Sequence, residues 1–287
     1  MIICITRVKQ LLCCFLIFAT LLTGVVVYAS VKTNAEAKEV LVPILMYHSI
    51  LKDPARSGRY VVSPKTLEND MIYLQENGYE TVLIRDLIAY VYEDVPLPQK
   101  PIVLTFDDGH YNNMTYLLPL LEKYQMKAVI SVVGDYTEQF SCEDAHNPNY
   151  SYLTWDDIKM LDVSGRIEIA NHTYHFHEKN CRKGCSILEG ETTLDYQKIL
   201  KNDLEKLQVA LKSNAKIGAP VTFTYPFGYT CPQSQKPIEE AGFLASLSCY
   251  EKLNIISKNK GCLYALGRYN RPEGISTQEF MQQIKLP

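Results

Sequence analysis

Short apolar segments alternate along the chain with segments in which apolar residues recur every three or four positions. The first kind predicts buried β-strands, and the second predicts amphipathic helices that pack against them. The predicted strands cover residues 40–47, 81–84, 101–104, 127–133, 166–170, 221–224 and 244–249. The predicted helices cover residues 64–77, 86–92, 116–124, 154–163, 192–212 and 237–241, and a last one begins at Thr277. Polar loops are predicted at residues 51–63, 135–153 and 178–190.

This alternation of strands and helices predicts one sheet of parallel strands joined by right-handed crossover helices. Polar residues follow several predicted strands at their carboxyl ends, namely His48, Asp107, His172 and Tyr225. Barrel enzymes carry their chemistry at that face, whereas an open doubly wound sheet would spread the strand ends over a wider crevice. We therefore predict an α/β fold, an irregular (β/α)7-type barrel that forms a single catalytic domain after an N-terminal apolar helix.

The N-terminal segment has the pattern of an export signal. Arg7 and Lys9 precede an uncharged apolar run at residues 11–29, which is long enough to span a bilayer. Residues 1–30 are expected to be a signal peptide or a membrane anchor, residues 31–39 a polar linker, and residues 40–287 the catalytic domain. The positive-inside rule predicts that the rest of the chain is exported, either extracellular or anchored at the outer face of the cytoplasmic membrane.

The composition of the chain narrows the possible classes of function further. The chain has 287 residues, 47% hydrophobic content and a net charge of -3, so it can bury one large core and has no charge block typical of a nucleic-acid partner. No glycine-rich phosphate loop occurs, which argues against nucleotide binding. Oligomeric state stays open.

Cysteines outside the leader permit disulfides in an exported protein. Six of the nine lie there: Cys142, Cys181, Cys185, Cys231, Cys249 and Cys262. The pair at Cys181 and Cys185 suggests either a small bridged loop or half of a zinc site. No second pair with matching spacing follows, so a zinc ribbon is not expected.

The central predicted strand ends in the sequence TFDDG at residues 105–109. Asp107 and Asp108 are adjacent, and two such carboxylates resist joint ionisation unless a cation or a proton lies between them. Gly109 allows the backbone to turn sharply. Asp-Asp-Gly is also common in surface turns, so this motif alone leaves both interpretations open.

A second motif, NHTYHFH, follows another predicted strand at residues 171–177. In a loop, His172 and His177 can both reach one ion, and imidazole combined with carboxylate suits Zn²⁺ or another divalent transition metal. A solvated histidine loop is the alternative. Together with Asp108 they form a three-ligand set with open positions, which is typical of a catalytic metal site. Two other histidines are expected at the surface or the rim of the site: His110 and His146.

Three motifs in order carry a resemblance to a known family. They are TFDDG at residues 105–109, His172-Thr173 with a downstream histidine, and FTYPFG at residues 223–228. Together they resemble the polysaccharide deacetylase family (the NodB-homology, carbohydrate esterase 4 group). The sequence PILMYH at residues 43–48 and the spacing of His172 and His177 are similar to the branch that acts on poly-N-acetylglucosamine. The resemblance covers about residues 40–285.

The resemblance implies a role for each matching residue. Asp107 is the general base, and Phe227 offers its backbone N–H to the oxyanion of the reaction. The implied metal ligands are Asp108, His172 and His177. The implied metal is Zn, with Co, Ni, Fe or Mn as alternatives. Thr173 is implied to support the metal loop, and Tyr225 to support the site or contact substrate. His175 has no counterpart and is expected to point outward or to lie behind the ligands.

The sequence departs from the family pattern in two places. The third motif usually carries an arginine that orients the base, but Thr224 occupies that position, and Arg268 or Arg271 is the candidate substitute. The family also usually has a late histidine as general acid, and no histidine follows residue 177. His48 is the candidate replacement. A structural role for His48, with the leaving amine protonated by the base or by water, is the alternative.

The resemblance implies a metal-dependent hydrolase that removes N-acetyl groups from an N-acetylglucosamine-containing polysaccharide of the cell envelope or the extracellular space. Two alternatives remain. One is an O-acetyl esterase acting on xylan or cell-wall sugars. The other is a catalytically impaired homologue that only binds an acetylated glycan, which the missing late histidine and Thr224 would allow. Retention of both aspartates and both ligand histidines argues against the second alternative.

Overall fold

The computed structural model describes residues 39–143, 145–177 and 182–284. The predicted signal peptide or anchor and most of the predicted linker lie outside these residues. From Val40 onwards the chain forms one compact unit. Within the described ranges, none of the helices combines the length and the apolar character needed to cross a bilayer.

The secondary structure alternates between strands and helices. The strands are β1 (Val40–Val42), β2 (Ile44–Tyr47), β3 (Ser49–Ile50), β4 (Val61–Val62), β5 (Glu80–Thr81), β6 (Pro101–Phe106), β7 (Ala128–Val132), β8 (Ile167–Asn171), β9 (Thr222–Thr224), β10 (Ala245–Leu247), β11 (Asn254–Ile256) and β12 (Tyr269–Asn270). The α-helices are α1 (Pro64–Glu76), α2 (Ile84–Glu93), α3 (Leu118–Tyr124), α4 (Gly134–Glu143), α5 (Trp155–Val163), α6 (Thr193–Ala210), α7 (Gln235–Glu240) and α8 (Thr277–Gln283).

The main sheet has the strand order β10-β9-β8-β7-β6-β2-β12, and β5 pairs with the first residues of β6. Each neighbouring pair in this sheet is parallel. The sheet curls into part of a barrel and the helices surround it. The prediction of an irregular (β/α)7-type barrel is therefore confirmed.

Alternation along each strand separates an inner face from an outer face. Leu45, Leu104 and Ile130 belong to the cluster that packs against surrounding helices, including the buried apolar face of α1. Their neighbours Val103 and Val129 belong to a second cluster. Further along the second face, towards the carboxyl ends of the strands, the side chains become polar. The candidate site lies at those ends.

Some predicted elements were wrong. The loop predicted at residues 135–153 contains α4, whose buried side chains Thr137 and Phe140 are spaced one helical turn apart within a polar stretch. The strand predicted at residues 81–84 is mostly not a strand, because α2 already begins at Ile84. The Asp86 carboxylate accepts a hydrogen bond from the Leu83 N–H at 2.9 Å and so stabilises the start of that helix.

The described cysteines carry free thiols. They are Cys142, Cys185, Cys231, Cys249 and Cys262. Cys181 lies outside the described residues, so the predicted bridged loop or half zinc site at Cys181 and Cys185 stays a prediction.

Candidate active site

The two adjacent aspartates reach one pocket because the backbone turns between them. Asp107 is buried and continues the alternation of β6. Asp108 has a φ of 71°, in the left-handed region, and Gly109 follows with a φ of 69°. A non-glycine residue in this region costs about 1–2 kcal/mol, so the turn is held by its surroundings.

Asp108 lies at the centre of a cluster of imidazoles. Its Oδ1 is 3.1 Å from Nε2 of His177 and 3.5 Å from Nε2 of His172. One ligand atom from each of these three residues lies within 4.8 Å of the other two. The cluster contains the carboxylate and the two histidines that the sequence suggested.

Both imidazoles are oriented from their far side. Nδ1 of His172 lies 2.8 Å from the carbonyl oxygen of Thr224, which can only accept, so this nitrogen donates and Nε2 is the nitrogen available to a metal. Nδ1 of His177 lies 3.2 Å from the hydroxyl of Tyr136. Two imidazole nitrogens beside one carboxylate fit a divalent transition-metal ion, so these residues could hold one.

Asp107 is bound by a buried guanidinium. Arg268 donates to both carboxylate oxygens, at 2.7 and 2.8 Å, and its Nε donates to the carbonyl of Ser248 at 2.8 Å. Burial raises the pKa of Asp107, but Arg268, through its charge and hydrogen bonds, together with His172 and His48 more than offsets that effect, and the net pKa is lowered. Asp107 is therefore held as a carboxylate in a fixed orientation.

Of the two arginines that the sequence suggested beside the base, Arg271 lies elsewhere. Its guanidinium donates to the two carboxylate oxygens of Asp70 at 2.8 and 3.1 Å. Asp70 also accepts hydrogen bonds from the hydroxyls of Tyr47 and Thr277. This second buried ion pair joins α1 to the C-terminal segment, and only Arg268 reaches Asp107.

His48 lies beside Asp107 without bonding to it. Nε2 of His48 is 3.9 Å from Oδ2 of Asp107, which is too long for a hydrogen bond. Its Nδ1 is buried and has no hydrogen-bond partner among the described residues. Burial lowers the pKa of His48, and the opposing charges of Asp107 and Asp108 offset that effect only in part.

The three supporting residues of the motifs have different surroundings. Thr173 has a φ of 72°, and its buried hydroxyl has no partner among the described residues. Phe227 has a φ of 56°, and its ring centroid is 4.6 Å from that of His177. Tyr225 is buried and its hydroxyl lies 2.8 Å from the hydroxyl of Ser234, so its ring packs in the core.

The remaining histidines lie around this cluster or away from it. His175 turns outward, where Nδ1 contacts Asp135 and Nε2 is 2.8 Å from the Lys206 ammonium. His110 lies closer than its sequence position suggested, with Nε2 3.5 Å from Oδ2 of Asp108. His146 contacts the carboxylate of Asp157 at 3.1 Å.

The candidate metal ligands, Asp107, His48 and Phe227 line a cleft of about 1000 Å³. Its walls include aromatic side chains that no motif indicated, among them Tyr60, Tyr136 and Tyr229. The abundance of tyrosine in the chain was the only available signal, and it did not identify positions. We refer to this space as the cleft.

The fold and the site together define the class of this protein. It is an α/β-barrel protein with a candidate metal site, which a carboxylate and two imidazoles form at the carboxyl ends of the strands. The family model for polysaccharide deacetylase matches residues 94–245. The chain therefore belongs to the polysaccharide deacetylase family, as the motifs suggested.

The individual relatives share only modest sequence identity with this chain. A poly-beta-1,6-N-acetyl-D-glucosamine N-deacetylase of Escherichia coli (strain K12) is 25% identical over 260 residues, which cover 84% of this chain but only 38% of the relative. This chain therefore spans well under half of that protein. The putative polysaccharide deacetylase YxkH of Bacillus subtilis (strain 168) is 29% identical over 258 residues, covering 90% of this chain and 80% of the relative.

Solved structures share the fold. A de-N-acetylase from Aggregatibacter actinomycetemcomitans superposes with a TM-score of 0.70 at 21% identity, covering 85% of this chain and 100% of that one. IcaB from Ammonifex degensii gives a TM-score of 0.68 at 20% identity, covering 86% of this chain and 96% of that one.

Proposed function

We propose that this protein is a metal-dependent hydrolase that removes N-acetyl groups from a polysaccharide containing N-acetylglucosamine. One observation carries the proposal: the cluster of Asp108, His172 and His177 lies beside a separate carboxylate, Asp107, at the base of an open cleft. A binding module would have no need for a free base next to a metal site.

The proposed general base is Asp107. Arg268 occupies both of its oxygens from one side, but each carboxylate oxygen has a second lone pair that can accept a proton from water. The guanidinium also holds the carboxylate in place, so Arg268 is proposed as a positioning residue that replaces the arginine missing from the third motif.

A divalent ion bound by the three ligands would polarise the acetamide carbonyl and activate the attacking water. We assign the ion as Zn, with Co, Ni, Fe or Mn as alternatives. The backbone N–H of Phe227 is the proposed donor to the developing oxyanion. Among the ligands, His172 keeps the tautomer that its bond to Thr224 imposes, and Thr173 supports the loop through its backbone.

His48 is the proposed donor of the proton to the leaving amine. Because burial lowers its pKa, His48 is held as a neutral imidazole, and it must gain a proton before it can donate one. Its Nε2 lies 3.9 Å from Asp107, so a small approach would bring the two groups into hydrogen-bond contact. Protonation of the amine by Asp107 or by water is the competing route.

The proposed substrate is a glycan outside the cytoplasm. The named activity of the Escherichia coli relative supports poly-β-1,6-N-acetylglucosamine as the polymer. We propose that residues 1–30 export the chain as a signal peptide or anchor it at the outer face of the cytoplasmic membrane. Residues 40–287 would then form the deacetylase domain beyond a linker at 31–39.

The test measures bound metal and acetate release with the purified full chain. Substrates are chitooligosaccharides, β-1,6-linked N-acetylglucosamine oligomers and O-acetylated xylan oligomers. The proposal predicts metal-dependent acetate release from an N-acetylated oligomer. Release from the O-acetylated substrate alone would identify an esterase. Binding without release from any substrate, with metal present, would identify a glycan-binding homologue.

A further inference from the structure

The two carboxylate oxygens of Asp108 have different neighbours. The oxygen nearest to both ligand imidazoles is Oδ1, which lies 3.1 Å from Nε2 of His177 and 3.5 Å from Nε2 of His172. Oδ2 lies 3.5 Å from Nε2 of a third imidazole, that of His110. Neither the motifs nor the proposed reaction uses His110, so its place beside a candidate metal ligand has no role yet.

The backbone and the ring of His110 are both held against the segment 151–153. His110 and Tyr152 form an antiparallel bridge, and the backbone hydrogen bonds on the two sides of this bridge are 2.8 and 2.9 Å long. The His110 ring stacks on the Tyr152 ring, with centroids 4.8 Å apart and an angle of 25° between the planes. Pairing and stacking together restrict the orientation of the imidazole, so its contact with Asp108 is built into the fold.

The same tyrosine connects His110 to a second candidate ligand. The centroid of the Tyr152 ring lies 4.4 Å from that of Tyr136, and the Tyr136 hydroxyl lies 3.2 Å from Nδ1 of His177. The row of rings formed by His110, Tyr152 and Tyr136 therefore contacts Asp108 at one end and His177 at the other. At both ends the contact is made to an atom other than the candidate ligand atom, which is the arrangement that orients metal ligands from outside the site.

The position of His110 fits a support for Asp108 better than a fourth ligand or a catalytic group. The donor atoms that all lie within 4.8 Å of one another come from Asp108, His172 and His177, and His110 does not belong to this group. His110 also does not line the cleft, so it does not reach a substrate bound there. A residue of this kind acts on the reaction only through the ligand that it contacts.

We propose that His110 is a positioning residue of the metal site, whose Nε2–H group donates to Oδ2 of Asp108 and keeps Oδ1 directed at the two ligand imidazoles. This inference rests on the proposed function, of which it specifies the metal site. A separation of 3.5 Å is near the upper limit for a hydrogen bond, so the role of His110 is to orient the carboxylate rather than to bind it tightly. Tyr152 holds the imidazole in place by stacking.

The test measures metal affinity of the purified full chain and does not depend on acetate release. Competition with a chelating dye gives the Kd for Zn²⁺, and the visible spectrum of the Co²⁺-loaded protein reports the arrangement of the ligands. His110→Phe keeps a ring that can stack on Tyr152 but cannot donate, and it should raise the Kd by about 10–100-fold and change the Co²⁺ spectrum. His110→Gln keeps a donor amide and should recover part of that loss. His146→Phe is the matched control and should keep the wild-type Kd, because His146 contacts Asp157 outside the cluster.

The outcomes separate this inference from the proposed function. A wild-type Kd and an unchanged Co²⁺ spectrum in His110→Phe would overturn the inference and leave the deacetylase proposal intact. Equal loss of affinity in His110→Phe and His110→Gln, with a lower Tm of the metal-free variants, would indicate a purely structural role and also overturn it. Complete loss of stoichiometric binding in His110→Phe would make His110 a ligand instead. A wild-type protein that binds Zn²⁺ but releases no acetate would overturn the proposed function alone.

Discussion

Three non-glycine residues of the candidate site have left-handed backbone conformations, and each belongs to a different motif. They are Asp108, Thr173 and Phe227, with φ between 56° and 72°. Each costs about 1–2 kcal/mol relative to an ordinary conformation. Glycine would follow the same backbone path without that cost, so the side chain must matter more than local stability at these positions.

The two histidines of the metal loop provide a matched comparison. His177→Ala should abolish stoichiometric metal binding, because it removes one of three ligands. His175→Ala should keep it, since His175 lies two residues away but contacts Asp135 and Lys206 instead. Metal content after dialysis, measured by elemental analysis, checks both variants. Equal loss of metal in the two variants would contradict the ligand assignment.

Asp107→Asn should keep the bound metal and reduce acetate release by about 10²–10⁴-fold, the usual contribution of a general base. The amide is similar in shape but cannot take the proton from water. Asp156→Asn, at an exposed position in the first turn of α5, is the control for the chemical change itself. Full activity in Asp107→Asn would exclude this residue as the base.

The sequence suggested that the three candidate metal ligands are neighbours, because each follows a strand of a parallel sheet, and the structure brings them within 4.8 Å of one another. The arginine that binds Asp107 was harder to predict from the sequence. Arg268 is 161 positions away, and Arg271 fitted the same pattern equally well. Only the path of the chain through β12, a strand of two residues without a periodic signal, decides between them. The burial of Tyr225 in the core follows instead from alternation along β9, because Tyr225 lies two residues after Phe223 and packs in the same cluster.

At the scale of elements, two buried ion pairs flank β12 and point to different parts of the fold. Arg268 joins the C-terminal segment to the end of β6, and Arg271 joins it to Asp70 on α1. Both guanidinium groups are fully buried. The short strand is therefore fixed at both ends by charge pairs rather than by extensive strand pairing.

Removal of either arginine should destabilise the protein by about 3–5 kcal/mol, because each leaves a buried carboxylate without its partner. Only Arg268→Ala should also reduce kcat in the fraction of protein that remains folded, since only Asp107 is proposed to react. Denaturant unfolding and steady-state kinetics at low temperature distinguish the two effects. A similar reduction of kcat in Arg271→Ala would indicate a general loss of structure instead.

The amino end of the barrel contains a buried carboxylate whose pKa is raised, whereas that of Asp107 is lowered. Glu168 on β8 accepts hydrogen bonds from the Thr222 hydroxyl at 2.7 Å and from the Arg85 N–H at 2.9 Å. Burial raises the pKa of Glu168, and these contacts offset the effect only in part. Deprotonation is therefore less favourable in the folded state than in the unfolded state.

The direction of this pKa shift predicts how the stability of the protein depends on pH. The contribution of Glu168 is fully present below its unfolded pKa, near 4.5, and is lost as pH rises through its higher folded pKa. Glu168→Gln keeps an acceptor for Thr222 and should lose less free energy of unfolding than the wild-type protein over that interval. Urea unfolding at a series of pH values measures the difference. A steeper loss in the variant would reverse the assigned sign.

At the scale of the whole molecule, the candidate metal ligands connect separate parts of an open barrel. Asp108 follows β6, whereas His172 and His177 follow β8, with β7 between those two strands. A bound ion would therefore link the loop after β6 to the loop after β8. In the sheet, these two parts of the chain are connected only through the intervening strand β7. Carboxylate and imidazoles also lie within 4.8 Å of one another, so the ion would neutralise the charge of the partly buried Asp108 carboxylate.

Metal removal should consequently lower thermal stability as well as activity. Binding to the folded state stabilises it by about 2.7 kcal/mol when free metal is a hundredfold above Kd, so a chelator should lower the Tm of the loaded protein by several degrees. His177→Ala is the control, because it has no complete site and its Tm should not respond to the chelator. Melting curves with and without chelator, followed by restoration with Zn²⁺, measure the effect. If the chelator shifted both proteins equally, its action would be unrelated to this cluster, and the metal would have no structural link to the barrel.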